Sequence, residues 1–185
     1  MGQDKALLEY HGKPQIEYAY ALLQKYCIKV YLSKRTDQKA YKDLDCINDK
    51  NEFSNHGPLS GILSAMQEYP GADWLILACD LPFVTDACLQ TLLNHRDPAK
   101  IATAFISTQD SLPEPLCAIW EKHAFGPVLK LFNEGIHCPR KVLIKSYTHL
   151  LKQNEPHWLD NINTPEEYDE LKKANILTKS DKTAF

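Results

Sequence analysis

The sequence predicts an α/β fold: a mostly parallel sheet with helices on both faces. Three observations carry that expectation. Short apolar, strand-like runs alternate with segments whose apolar residues recur at the helical period, the pattern of strand–helix–strand units. The run Trp74–Cys79 is apolar throughout instead of alternating, as in a strand covered on both sides. It leads into Asp80-Leu81-Pro82, which puts a carboxylate at a strand's C-terminal end, where open α/β sheets gather ligands. Pro82 biases Leu81 away from helical geometry, so the chain turns before its next helix.

Length and composition narrow the classes. A chain of 185 residues is large enough for one domain with its own core, expected over residues 1–176, with a polar tail at 177–185. A net charge of −3 argues against a nucleic-acid coat or a lipid-surface protein. No apolar run approaches the ~18 residues that span a bilayer. The start, Met1-Gly-Gln-Asp-Lys5, is polar and carries no hydrophobic leader, so a cytoplasmic protein is expected. Cysteines 27, 46, 79, 88, 117 and 138 form no CxxC pair, and several sit in apolar runs. Buried, reduced thiols fit that pattern better than disulfides or zinc.

In chain order, a loop with a short extended piece, Ala6–Tyr10, is closed by the turn His11-Gly12-Lys13. Pro14 suits the first position of a helix running to about Tyr26, because its missing N–H would have no partner there. Ile28–Ser33 reads as a strand, Asp37–Leu44 as a weaker helix, and Cys46-Ile47 as a short strand. Asp49–His56 is a polar loop. Gly57-Pro58 opens a helix with apolar positions Leu59, Ile62, Leu63, Met66 and Tyr69. After the Trp74 strand, Thr85 caps a helix to about His95. Strands follow at Ile101–Ile106, Pro115–Trp120 and Tyr147–Leu151, with helices at Pro127–Asn133, stopped by Gly135, and from Pro139. Thr164-Pro165-Glu166-Glu167 starts a last helix, to about Ala174, with a capping threonine and proline at the first helical position.

Several short constellations bear chemistry. Asp80 is placed to hold Mg²⁺ and, through it, nucleotide phosphates. Lys5 follows Gly2 in an N-terminal loop and could neutralise triphosphate oxygens, although a surface lysine alone is the commoner case. Gly57-Pro58-Leu59-Ser60-Gly61 supplies a helix N-terminus that favours anions or polar base edges, and equally a structural turn. Arg140 and Lys141 join a helix start to two cations. Asn161 and Asn163 precede the last helix, where amides most often cap backbone groups. HExxH, GxSxG and GxGxxG are all missing from the sequence, and of the seven scattered histidines only His56, beside Gly57, is a candidate, with a loop histidine the commoner case.

Taken together and in order, these pieces resemble the molybdenum cofactor guanylyltransferase family. The matching segments are Met1-Gly-Gln-Asp-Lys-Ala-Leu-Leu, His11-Gly-Lys-Pro, Gly57-Pro-Leu-Ser-Gly, Leu77-Ala-Cys-Asp-Leu-Pro and Asn161-Ile-Asn-Thr-Pro-Glu-Glu, spanning about residues 1–170. The resemblance implies a Rossmann-like nucleotidyltransferase domain, a three-layer sandwich of the nucleotide-diphospho-sugar transferase type. It also implies transfer of GMP from GTP to molybdopterin carrying molybdenum, with Mg²⁺ and release of pyrophosphate. On it, Lys5 matches a phosphate-contacting lysine and Asp80 the Mg²⁺-binding aspartate. Asp49 most nearly matches a nucleotide-contacting aspartate, and Ser33 lies where the family has a small polar residue near the nucleotide. Gly57 belongs to the nucleotide side, and Arg140 and Lys141 would receive the acceptor's phosphate. Family members carry a first strand and a loop of the form Leu-x-Gly-Gly-x-Ser-x-Arg before the Met-Gly that opens this chain. The expectation is therefore a product truncated there, or started late. Other readings stay open: a cytidylyltransferase of the same cofactor, a sugar-phosphate nucleotidyltransferase, or a non-catalytic remnant. An interaction module for molybdoenzyme apoproteins or other cofactor-biosynthesis proteins is also open.

Overall fold

The computed structural model describes residues 5–162. Met1–Asp4, the expected helix from Thr164 and the tail lie outside the described residues, and the domain boundary at 176 with them.

The extended piece expected at Ala6–Tyr10 is instead a 3-10 turn, Lys5–Leu7, followed by a single bridge between Glu9 and Pro14. Ala6 and Tyr10 are both buried, four residues apart; that spacing suits a turn and not alternation. Helix α1 (Gln15–Gln24) follows with Pro14 as its cap instead of its first residue, so it starts one place later than expected. Strand β1 is only Leu32–Lys34, because its partner β2 (Cys46–Asn48) is equally short and Ile28 lies fully in solvent.

The weak helix expected over Asp37–Leu44 does not form. That stretch is a chain of turns in which Lys42 has φ +50° and the Gln38 side chain accepts from the Arg35 N–H. It lacks an apolar face, and Tyr41 and Lys42 reach across to Glu17 of α1. A short 3-10 turn, Asn51–Phe53, interrupts the loop that follows.

Helix α2 (Pro58–Glu68) is buried from Leu59 through Met66. Strand β3 (Trp74–Leu77) ends before Cys79, and α3 (Asp86–Asn94) begins where the Thr85 hydroxyl accepts from the Cys88 N–H. Then come β4 (Ala102–Ile106), β5 (Pro113–Trp120), α4 (Phe125–Asn133), α5 (Pro139–Lys145) and β6 (Thr148–Leu151). Gly135, at φ +85°, ends α4 by sending its N–H to the Phe132 carbonyl.

β1 and β2 pair in parallel as a small sheet, and the main sheet runs β3-β5-β4-β6. β3, β4 and β6 point the same way, while β5 is inserted antiparallel between β3 and β4. Alternation along these strands feeds two cores. Ala102, Ala104, Ala118 and Trp120 meet α2, α4 and α5 on one face. Phe105, Cys117 and Ile119 meet α1 and α3 on the other. The result is a three-layer α/β sandwich. Where β5 ends, Glu121 is 2% exposed and pairs with Arg96 through both carboxylate oxygens, and Asp73 shares the same guanidinium. Among the described residues no helix is long and apolar enough to cross a membrane.

Candidate active site

The direction of the strands decides where a site can form. β3, β4 and β6 deliver their C-terminal ends to one edge of the main sheet, and reversed β5 begins at that edge. Asp80 is there, half-buried in the turn after β3, and the Ala78 N–H is held by the Leu116 carbonyl at 2.8 Å. Among the described residues no three His, Cys, Asp or Glu side chains gather as a ready-made ligand set. A single carboxylate fits Mg²⁺ nonetheless, because that ion keeps several waters and takes its other ligands from substrate phosphates.

Of the residues expected on the nucleotide side, Ser33 and Asp49 are brought together at Gly61, one turn past Gly57, whereas Asp80 stands apart after β3. Ser33 is the middle residue of β1, paired with Ile47, and Asp49 follows β2 with its N–H on the Lys34 carbonyl at 2.9 Å. Gly57, at φ +62°, caps α2 in a conformation open to glycine. One turn on, Gly61 lies against Ser33 and Asp49: a Cβ at Gly61 would stand 2.2 Å from Ser33 Oγ and 3.7 Å from Asp49 Oδ1. The sequence shows Gly61 within the Gly57–Gly61 segment, but nothing in it marks that contact. Beside these residues a cleft of about 520 Å³ is lined by Arg35, Thr36, Asp37, Asp49, Asn51, Ser54 and Asn55. Burial pushes the Asp49 carboxyl up, against the pull of the Arg35 guanidinium.

A second, smaller pocket of about 140 Å³ opens beyond β4 and β6, between Ser107–Asp110, Glu114, Arg140, Gln153 and Asp160-Asn161. Arg140 reaches it from the first turn of α5, but its charge is already matched: Asp110 and Glu114 each accept from it at 2.8 Å. Lys141 is exposed. Gln153 donates to the Ile106 carbonyl at 2.9 Å, and its buried Oε1 has no partner among the described residues. Sequence reasoning missed Asp110, Glu114 and Gln153, since a carboxylate pair on Arg140 comes from segments 26 and 30 residues away. His56 is packed edge-on to Phe132 and against His137, with ring centroids 4.9 and 3.8 Å apart. Lys5 opens the described chain as the first residue of its 3-10 turn.

A family model described as the MobA-like NTP transferase domain matches residues 1–150. The chain belongs to that family. A molybdenum cofactor biosynthesis bifunctional protein of Synechocystis sp. is 38% identical to this MobA-like chain over 174 residues, covering 92% of the chain and 50% of that protein. The chain thus spans half the length of that relative. A molybdenum cofactor guanylyltransferase of Shewanella amazonensis is 26% identical over 184 residues, covering 94% of the chain and 89% of the relative. Among solved structures, molybdopterin-guanine dinucleotide biosynthesis protein A from Archaeoglobus fulgidus superposes with a TM-score of 0.72 at 22% identity, over 96% of this chain and 92% of that one. The 2-C-methyl-D-erythritol 4-phosphate cytidylyltransferase of Thermus thermophilus gives 0.69 at 11% identity, over 93% and 94% of the two chains. These structures share the MobA-like fold, the nucleotidyltransferase sandwich expected from the sequence.

Proposed function

We propose that this domain is a molybdenum cofactor guanylyltransferase that transfers GMP from GTP to Mo-molybdopterin and releases pyrophosphate. The observation that carries the reading is the arrangement at the sheet edge. Asp80 follows β3, a polar pocket opens beyond β4 and β6, and a separate polar cleft is lined by Asp49, which with Ser33 lies against Gly61 of α2. It is supported by guanylyltransferases that this chain matches over most of their length.

In the reaction, a phosphate oxygen of the acceptor bonds to the α-phosphorus of GTP while the bond to the bridging oxygen breaks. Such a displacement needs alignment and charge neutralisation, not a protein nucleophile. Asp80 would hold Mg²⁺, which when bound supplies charge compensation to the phosphate oxygens. Lys5 offsets the charge of the leaving pyrophosphate. Ser33, Asp49 and Gly57 receive the nucleotide, and a carboxylate such as Asp49 suits the adjacent N–H donors of guanine better than cytosine, whose edge offers one amino group. Arg140 and Lys141 take the acceptor's phosphate, Arg140 by exchanging a carboxylate partner for it. A cytoplasmic setting, and contact with molybdoenzyme apoproteins or other cofactor-biosynthesis proteins, go with this reading.

The test is binding and turnover of GTP, with CTP as comparison, in Mg²⁺ and then in EDTA. Selective, Mg²⁺-dependent use of GTP is expected, and Asp80→Asn should abolish turnover while leaving the melting temperature nearly unchanged. Near-normal activity in the Asn variant would remove Asp80 from the metal site.

A further inference from the structure

Asp80 belongs to a segment that the sheet holds at its first residue, through the Ala78 N–H on the Leu116 carbonyl of β5. Between the end of β3 at Leu77 and the cap of α3 at Thr85 the chain is neither strand nor helix. Three carbonyls in it are instead taken by side chains from one short stretch near the start of the chain. His11 Nε2 meets the Pro82 carbonyl at 2.8 Å. Gln15 Nε2 reaches the Leu81 carbonyl at 3.4 Å, and the Tyr18 hydroxyl donates to the Val84 carbonyl at 3.2 Å. Two of the three brace each other, the His11 and Tyr18 rings stacking with centroids 3.8 Å apart, and Gln15 is 1% exposed at the first position of α1. The Gln15 N–H also binds the Leu8 carbonyl at 2.9 Å, which ties the segment carrying Lys5 to the same helix start.

Gln15 is also an expensive residue to bury, for its Oε1 has no partner among the described residues. An orphaned acceptor destabilises the folded state, and an apolar side chain of the same length would avoid that cost. Stability alone does not explain a glutamine there. Its one distinctive bond is the one to the Asp80 segment.

We propose that His11, Gln15 and Tyr18 are positioning residues: a clamp that fixes Asp80 against the segment carrying Lys5, so that metal and triphosphate meet both in one geometry. The proposal rests on the guanylyltransferase reading for its chemistry but not for the clamp itself. None of the three need touch substrate; each acts through a backbone carbonyl within four residues of Asp80.

The experiment compares Gln15→Met, Tyr18→Phe, His11→Ala and His11→Gln in the full chain, with Tyr26→Phe as control. Tyr26 follows α1 and donates to Asp86 at 2.7 Å, away from the clamp. Melting temperature, kcat, KM for GTP, the Mg²⁺ concentration for half-maximal turnover, and amide exchange at Leu81, Phe83 and Val84 are measured. The clamp predicts at least a fivefold fall in kcat and a raised Mg²⁺ midpoint for the first three variants, with KM for GTP little changed. Exchange at the three amides should quicken. Gln15→Met should melt no lower than the parent, and His11→Gln, whose amide can remake the bond to Pro82, should recover most of the loss. Tyr26→Phe should lower the melting temperature and leave kcat alone. Variants that lose stability but keep the parental kcat and Mg²⁺ midpoint would overturn the positioning role, and unchanged exchange would overturn the clamp. If the parent itself shows no Mg²⁺-dependent GTP turnover, it is the guanylyltransferase reading that fails, and the exchange data still decide the clamp.

Discussion

The closest approach in the proposed nucleotide half of the site, between Gly61 and Ser33, gives the proposal its sharpest test. In Gly61→Ala the added methyl would stand 2.2 Å from Ser33 Oγ, more than an ångström inside ordinary contact, which begins at 3.4 Å. Rotating the serine moves its hydroxyl away, but its Cβ stays at 3.3 Å, so strand β1 must also yield slightly. Two stability effects then oppose each other. Alanine in a helix gains about 1 kcal/mol over glycine, and overpacking costs about 1–3 kcal/mol. The net loss should be about 0–2 kcal/mol. Nucleotide binding has no such offset. Displacing the Ser33 hydroxyl and crowding Asp49 removes about one hydrogen bond's worth, so GTP should bind about five- to tenfold more weakly. Calorimetric titration with Mg²⁺-GTP, beside urea unfolding, reads both effects. In the double variant Ser33→Ala/Gly61→Ala the 2.2 Å contact is gone and only the 3.3 Å approach of the Cβ remains, so stability should exceed the additive expectation by about 1 kcal/mol while GTP affinity stays low. A Gly61→Ala protein with parental GTP affinity would refute the assignment of Ser33 and Gly61 to the nucleotide site.

Other consequences follow from particular contacts. Arg96→Met would leave Glu121 buried without its cation, and urea unfolding should report a loss of about 3 kcal/mol. Burial alone would raise the Asp73 carboxyl, but the Lys122 backbone N–H and the Arg96 guanidinium outweigh it and hold that carboxyl below the ordinary range. A depressed carboxylate contributes stability that is present above its unfolded pKa of about 3.9 and lost as pH falls through the folded value. Unfolding midpoints should therefore fall on acidification below about pH 4, and less steeply in Asp73→Asn. Asp49 is shifted the opposite way, so nucleotide affinity should weaken at a higher pH than an ordinary aspartate allows, and Asp49→Asn should flatten that dependence in a titration series. The neighbouring Cys117 thiol and burial push Cys88 upward, and both residues are fully buried, whereas Cys138 is exposed. A thiol reagent should label Cys138 in the folded protein, and Cys88 and Cys117 only after denaturation.

Much of the architecture was legible because it rests on local signals. The unbroken apolar run at Trp74, the Thr85 cap and the Gly57-Pro58 start each determine an element almost without tertiary help. What escaped depends on pairing between distant segments. β1 is half the length its hydrophobicity suggests because a strand extends only as far as its partner. The turns at Asp37–Leu44 have residues tolerable in a helix but no apolar stripe to bury, so side-chain bonds to Gln38 and Glu17 prevail. The reversal of β5 had no local mark, because a buried strand reads alike in either direction. At the site, Asp80 stood out by its place after a strand. Gly61, Gln15 and the carboxylates on Arg140 did not, because each matters only through a neighbour distant in sequence.

The reversed strand has a consequence for how the polypeptide comes to be folded. β5 (Pro113–Trp120) lies between β3 and β4, both made earlier, and bonds them on either side. Until Trp120 has been synthesised, those two strands have no central partner, although all of Ser33, Asp49, Gly61 and Asp80 have already been translated. The main sheet therefore closes late on the ribosome, and a nascent chain stalled before Pro113 has to carry the apolar β3 and β4 unpaired. A protease-resistant core should appear no earlier than the emergence of β5, well after Asp80 has left the tunnel.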